Sequence, residues 1–202
     1  RQMRCPVYAT PFAAAVLKRK LGEAGLVNEV RVHVVQPGGK FQIGPFDLQF
    51  LSVAHSLPEA QALVIRTQFG TILHTGDWKL DPNPMVGPPT DEAAFAALGK
   101  EGVLAMVCDS TNAMVDGHSG SEADVRRSLS ELVRSIKHGR VAVTCFASNV
   151  ARVESVALAA RDAGRHVALV GRSLRNLETA AKECGYLRGL PDFVPEEEAG
   201  SI

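Results

Sequence analysis

Between residues 30 and 77 apolar and polar positions alternate in short runs broken by turn residues. Val30 to Val35 reads as a strand, and Pro37-Gly38-Gly39 as a hairpin turn. Phe41-Gln42-Ile43, the turn Gly44-Pro45 and the run from Phe46 continue the pattern. In that run Phe46, Leu48 and Phe50 alternate with Asp47 and Gln49, as in a strand with one face buried. Ala62 to Thr67, the turn Gln68-Phe69-Gly70, and Thr71 to Thr75 predict another hairpin. Ahead of these strands, Thr10 to Gly25 reads as a helix, with Thr10 as cap, Pro11 at its first position and Gly25 just past its end.

From residue 103 the period changes. Val103 to Cys108 is a continuous apolar run, which predicts a strand buried on both faces. Ser121 to Gly139 predicts a helix with a Ser121–Asp124 capping box and an apolar stripe of Val125, Leu129, Leu132, Val133 and Ile136. A strand over 140–146, a helix over about 149–163, a strand over 166–171 and a helix over about 174–184 follow. This order predicts an α/β class with a parallel sheet. A Pro-rich loop and a short helix, residues 81–102, join the two halves.

Composition narrows the field. The 202 residues are 46% hydrophobic, enough for one or two packed domains. Twenty-two basic residues balance 22 acidic ones, so a polyanion would have to be met by a local pocket. Cys5, Cys108, Cys145 and Cys184 include no CxxC pair, and the last three sit in apolar contexts that predict reduced core thiols. No apolar run approaches the ~18–20 residues of a membrane span. The β-rich start without Met and the acidic stretch near the end predict an internal segment of a longer polypeptide.

Candidate chemistry clusters where strands end. His55, Asp77 and Asp109 each follow a predicted strand, where a rigid sheet can aim side chains into one cleft. Imidazole and carboxylate suit Zn²⁺, and a carboxylate can bridge two ions that together serve phosphoryl displacement. Each residue also has a structural reading: His55 as a turn residue, Asp77 as a turn cap, Asp109 as the opening of an Asp-Ser-Thr-Asn turn. His33, His118, His138 and His166 read as structural or exposed. The sequence contains no H-x-H-x-D-H, so these residues alone leave a two-ion site half built. Cys145 to Val153 ends one predicted strand and opens a helix, where Ser148 and Asn149 could meet phosphate or serve as an ordinary N-cap. Gly171-Arg172-Ser173 repeats the arrangement, with Arg172 a weaker candidate. Arg126, Arg127, Arg134 and Lys137 read as a solvated helix face.

"AHSLPEA", "HTGDWKLD", "CDSTN", "GSEADVRRSL", "FASNVARVESV" and "VGRSL" in that order resemble the ribonuclease J family. The resemblance runs from "PVYATP" to "GYL". It implies part of a metallo-β-lactamase αββα sandwich over 1–108, followed by part of a β-CASP parallel α/β domain over 109–202. It implies that His55 is a zinc ligand, that Asp77 bridges two zinc ions, and that Asp109 is the acidic residue supporting the metal and the protonation of the leaving group. It implies RNA contact by Phe146, Ala147, Ser148 and Asn149. His74 stays open between supporting a ligand and filling the strand. The family implies a cytoplasmic, homo-oligomeric zinc ribonuclease, exo- and endonucleolytic, active in RNA decay, maturation and rRNA processing. The chain departs by absence: the H-x-H-x-D-H and later β-CASP histidines would lie outside it, and the piece alone would be inactive. The alternatives are a metallo-β-lactamase-fold hydrolase of another ester, and a non-catalytic RNA-binding or assembly subunit.

Overall fold

The computed structural model describes residues 5–200. Its first unit is a parallel crossover: strand β1 (Val7–Ala9), helix α1 (Pro11–Glu23) and strand β2 (Val32–Val34), with β1 paired to β2 in parallel. The 30–35 segment therefore pairs backwards across α1 and does not form the first arm of a hairpin. Tyr8 ties this ribbon to the next sheet, stacking on His33 at 4.8 Å and on Phe41 at 5.2 Å.

Strands β3 (Lys40–Ile43), β4 (Phe46–Ser52), β5 (Gln61–Thr67) and β6 (Gly70–His74) form an antiparallel meander. Helix α2 (Glu92–Glu101) then crosses over, and β7 (Ala105–Val107) joins β6 in parallel, giving the order β3-β4-β5-β6-β7. The apolar run at 103–108 thus completes the first sheet. Contrary to the expected burial on both faces, Leu104 is 67% and Met106 60% exposed, because β7 is an edge strand with β6 as its neighbour. Cys108 is likewise exposed, not a core thiol. Leu98 of α2 packs on Leu51, Val64 and Leu73 to form the core beneath this sheet.

Helices α3 (Glu122–Ser135), α4 (Val150–Asp162) and α5 (Arg172–Glu183) follow. The Ser121–Asp124 capping box forms as the sequence predicts. Of the expected α3 stripe only Val133 is buried, and Leu132 is 56% exposed. Arg126 is not on a solvated face. It donates to the fully buried Ser155 hydroxyl at 3.0 Å and pairs with Glu154, while Arg152 of α4 pairs with Glu122 of α3 at 3.1 Å.

The predicted strands at 140–146 and 166–171 do not form a ladder. Among the described residues their pairing reduces to one parallel bridge, Ala168 to Val194. The segments instead line a cleft of about 1370 Å³ with Val141, Val143, Cys145, Val153, Val167 and Leu169 on its walls. Parallel pairing is the weaker ladder and persists where both faces are covered. Here Val143 is 38% and Val170 59% exposed.

A second core joins Phe12 of α1, Val86 of the Pro-rich loop, Val150 and Val153 of α4, Leu177 and Ala181 of α5, and Leu187. It runs across the boundary expected at 108 and 109. Two carboxylates occupy helix N-termini, where backbone N–H groups lack partners, and the second of them crosses that boundary. Glu59 accepts from the Phe12 N–H of α1, and Thr10 makes no side-chain cap. Asp81 accepts from the Glu122 N–H of α3.

Candidate functional site

β4 and β6 run parallel to each other with β5 between them, and β7 runs parallel to β6. The carboxyl ends of β4, β6 and β7 therefore open on one sheet edge, and His55, Asp77 and Asp109 follow those three ends. His55 and Asp77 do not stand on neighbouring strands. Their loops meet beyond β5, where Ala54 and Lys79 form an antiparallel bridge with Lys79 N–H donating to Ala54 C=O at 3.0 Å. Thr90 locks this bridge: its Oγ1 accepts from Ala54 N–H and donates to Lys79 C=O.

The turn carrying Asp77 is built by its neighbours. Gly76 sits at φ +61°, and a Cβ there would stand 3.3 Å from the Gln61 carbonyl oxygen, so both conformation and space favour glycine. His74 accepts the Gly76 N–H on Nδ1 at 3.0 Å and thereby shapes this turn. Asp77 is exposed, and among the described residues no hydrogen bond or ion pair holds it. The turn-cap reading thus has no contact behind it. His55 is half-buried and likewise has no hydrogen-bond partner among the described residues.

Asp109 is differently placed. Its N–H donates to Thr75 Oγ1 at 3.1 Å, and its Oδ1 accepts from the Thr111 hydroxyl at 2.6 Å and the Thr111 N–H at 3.0 Å. The turn reading of Asp-Ser-Thr-Asn is therefore realised in part. The Thr111 hydroxyl, then the Thr111 N–H, and in smaller measure the nearby His55 charge hold the Asp109 carboxyl below the usual carboxylate range. At neutral pH Asp109 is an anion.

In the second half Asn149 caps α4, its Oδ1 accepting from Arg152 N–H at 2.8 Å. Ser148 is exposed, Ala147 half-buried, and Phe146 84% exposed. Arg172 is 76% exposed at its side chain and lies 3.7 Å from Glu23. A carboxylate already sits at its helix start: Glu196 accepts from the Gly171 N–H at 3.3 Å and pairs with Arg175. Thr75, Asp81 and Glu59 were not legible as site residues; their partners lie 34, 41 and 47 positions away. Among the described residues no group of three His, Cys, Asp or Glu side chains converges as metal ligands. His55 and Asp77 offer suitable donor types but not a closed zinc site, which takes four ligands. Among the described residues no helix is long and apolar enough to cross a membrane.

Residues 138–202 match the family described as ribonuclease J, beta-CASP domain. The chain is 46% identical to Ribonuclease J of Sinorhizobium meliloti over 200 residues, 99% of this chain and 35% of that protein. It is 40% identical to Ribonuclease J of Thermus thermophilus over 185 residues, 91% of this chain and 32% of that one. A crystallised protein of unknown function from Enterococcus faecalis V583 shares the fold at a TM-score of 0.66 and 17% identity, over 95% of this chain and 50% of the other. The chain spans about a third of the length of the curated relatives it matches. With relatives of one name across nearly its whole length and the family's own β-CASP match over its last third, this chain belongs to the ribonuclease J family.

Proposed function

We propose that this chain serves the hydrolysis of RNA phosphodiesters, within a polypeptide as long as its relatives. The observation that carries this is the shared sheet edge after β4, β6 and β7, where Asp77 has no hydrogen bond or ion pair among the described residues. Asp109, held ionised by Thr111, adds negative charge to the same edge. Residues Phe146 to Asn149, at the start of α4, take the RNA backbone: helix N–H groups and the Ser148 hydroxyl suit phosphate, and the exposed Phe146 ring suits a base. Zinc ligation by His55 and Asp77 belongs to this reading and needs ligands beyond those two. So do exo- and endonucleolytic action, a homo-oligomeric assembly and a cytoplasmic setting, the last supported by four free thiols.

Two expected results test it. Ser148→Ala in the complete polypeptide should weaken binding of a short 5′-phosphorylated RNA about 3- to 10-fold, the value of one hydrogen bond, at unchanged thermal stability. Asn149→Ala should in addition cost about 1 kcal/mol of stability, because its carbonyl caps α4. Titration calorimetry and thermal melts read both; a Ser148→Ala protein that binds RNA like wild type reduces the segment to a helix cap. The isolated 202-residue chain should take up zinc only weakly, with Kd above about 1 μM, since two donors leave a tetrahedral ion half-ligated. Competition against a chromogenic chelator measures this, and stoichiometric tight uptake would show that ligands within this chain have been overlooked.

A further inference from the structure

The loop carrying His55 is held from its far end. Glu59 lies four residues on, and its carboxylate makes two bonds: Oε2 accepts from Phe12 N–H of α1 at 2.8 Å, and Oε1 accepts from the Tyr186 hydroxyl at 3.1 Å. Tyr186 follows α5, 127 positions along the chain. Its ring also meets Phe12 edge-on at 6.0 Å. Between His55 and Glu59, Pro58 is fully buried, and Leu57 packs against the core formed by α1, α4 and α5. Val53 N–H donates to the Ala60 carbonyl at 3.1 Å and closes the loop, and Gln61 Nε2 donates to the same carbonyl at 2.7 Å.

Backbone strain marks the same contact. Among the described residues the non-glycine residues with positive φ are Glu59, at 60°, and Leu187, at 55°. One is the acceptor of the Tyr186 bond and the other follows Tyr186 directly. L-residues hold this conformation only where surrounding contacts over-determine it, and such residues cluster at functional sites. The Tyr186 phenol stays protonated and able to donate, since burial and then the Glu59 charge push it up to about 12.

We propose that Glu59 is a positioning residue: through the hydrogen bond it accepts from Tyr186, it makes the aim of His55 depend on the docking of the α4–α5 half. The inference rests on the reading of His55 as a residue of the reacting site. The α4 helix that begins at the Ser148–Asn149 segment packs into the same core as Leu57. The segment proposed to hold RNA and the loop that holds His55 thus share one support.

Tyr186→Phe removes the hydroxyl and keeps the ring on Phe12. In the complete polypeptide it should speed amide exchange across 53–61 about 3- to 10-fold, the factor expected for one lost hydrogen bond, with exchange elsewhere unchanged. It should lower kcat on a short RNA by a similar factor at constant KM. Glu59→Gly relieves the backbone strain but removes both bonds of the carboxylate, so it should lower kcat at least as far as Tyr186→Phe. Glu59→Gln keeps a carbonyl acceptor and should recover part of the loss. Unchanged exchange at 53–61 in Tyr186→Phe, or a rise spread over the whole chain, overturns the proposal. If the wild-type polypeptide cleaves no RNA, the ribonuclease reading fails, and the exchange arm still decides the coupling.

Discussion

Asp81→Ala is expected to lower the thermal midpoint of unfolding by roughly 10 °C. The Asp81 carboxylate is 5% exposed and fully employed. Its Oδ1 accepts from Ser121 Oγ at 2.8 Å and from Asn83 N–H at 3.0 Å; its Oδ2 accepts from Glu122 N–H at 3.1 Å and lies 3.4 Å from Lys79 Nζ. Ser121 and Glu122 begin α3, so one anion sits on a helix N-terminus and pins the loop after β6 to the second half. Deletion leaves the partly buried N–H groups of Asn83 and Glu122 without acceptors. Hydrogen bonds to charged groups contribute ~1.5–3 kcal/mol each and are not additive, so a net loss of about 3 kcal/mol is expected. For a chain of this size each kcal/mol moves the midpoint by about 2–4 °C. Calorimetry checks it, and a shift under ~2 °C would mean that α3 docks without the carboxylate.

Acid should erase that contribution. Burial alone would push the Asp81 carboxyl up, but the bonds from Asn83, Ser121 and Glu122, with Lys79 beside them, outweigh it and hold the group below the usual carboxylate range. The folded state then binds this proton at lower pH than the unfolded state, whose Asp pKa is about 3.9. The stabilisation is complete above that value and is lost as pH falls through the depressed folded one. Wild type and Asp81→Asn should differ in midpoint at pH 7 and converge at acid pH. A gap that stays constant down the titration would assign the effect to shape, not charge.

Local patterns carried the local elements. The meander β3 to β6 follows from period-two alternation and turn residues, and α3 from its capping box. What failed depended on distant partners. Pro37-Gly38-Gly39 looks like a hairpin turn, yet β2 pairs with β1 across α1. Thr10 looks like a cap, yet the α1 N–H of Phe12 goes to Glu59, 47 residues away. The apolar run at 103–108 signals burial on both faces, but β7 has one neighbour and exposed side chains. The site divides in the same way. His55, Asp77 and Asp109 were visible because polar residues after strand ends stand out from apolar runs. Thr75, Glu59 and Asp81 were not, since a threonine or carboxylate reveals a supporting role only through the group it meets.

Asp77→Asn is expected to lower RNA hydrolysis by about 10³-fold, within the span typical of a group taking part in proton transfer or charge stabilisation at the reacting centre, at an unchanged thermal midpoint. Asp77 and Asp81 belong to one short run, "GDWKLD", and their surroundings are opposite. Asp81 is buried and bonded on both oxygens. Asp77 is exposed at the sheet edge it shares with His55 and Asp109, and among the described residues it has no bonded partner. A turn this tightly specified, with Gly76 at φ +61° and His74 accepting its N–H, presents a carboxylate that the fold itself does not use. Asparagine keeps the shape and removes the charge, so stability should not register the change while the chemistry should. Single-turnover cleavage of a 5′-phosphorylated RNA by the complete polypeptide, run beside thermal melts, separates the two. Cleavage within ~10-fold of wild type would remove Asp77 from the reacting centre. A falling midpoint would mean that its charge supports the fold after all, and the contrast with Asp81 would collapse.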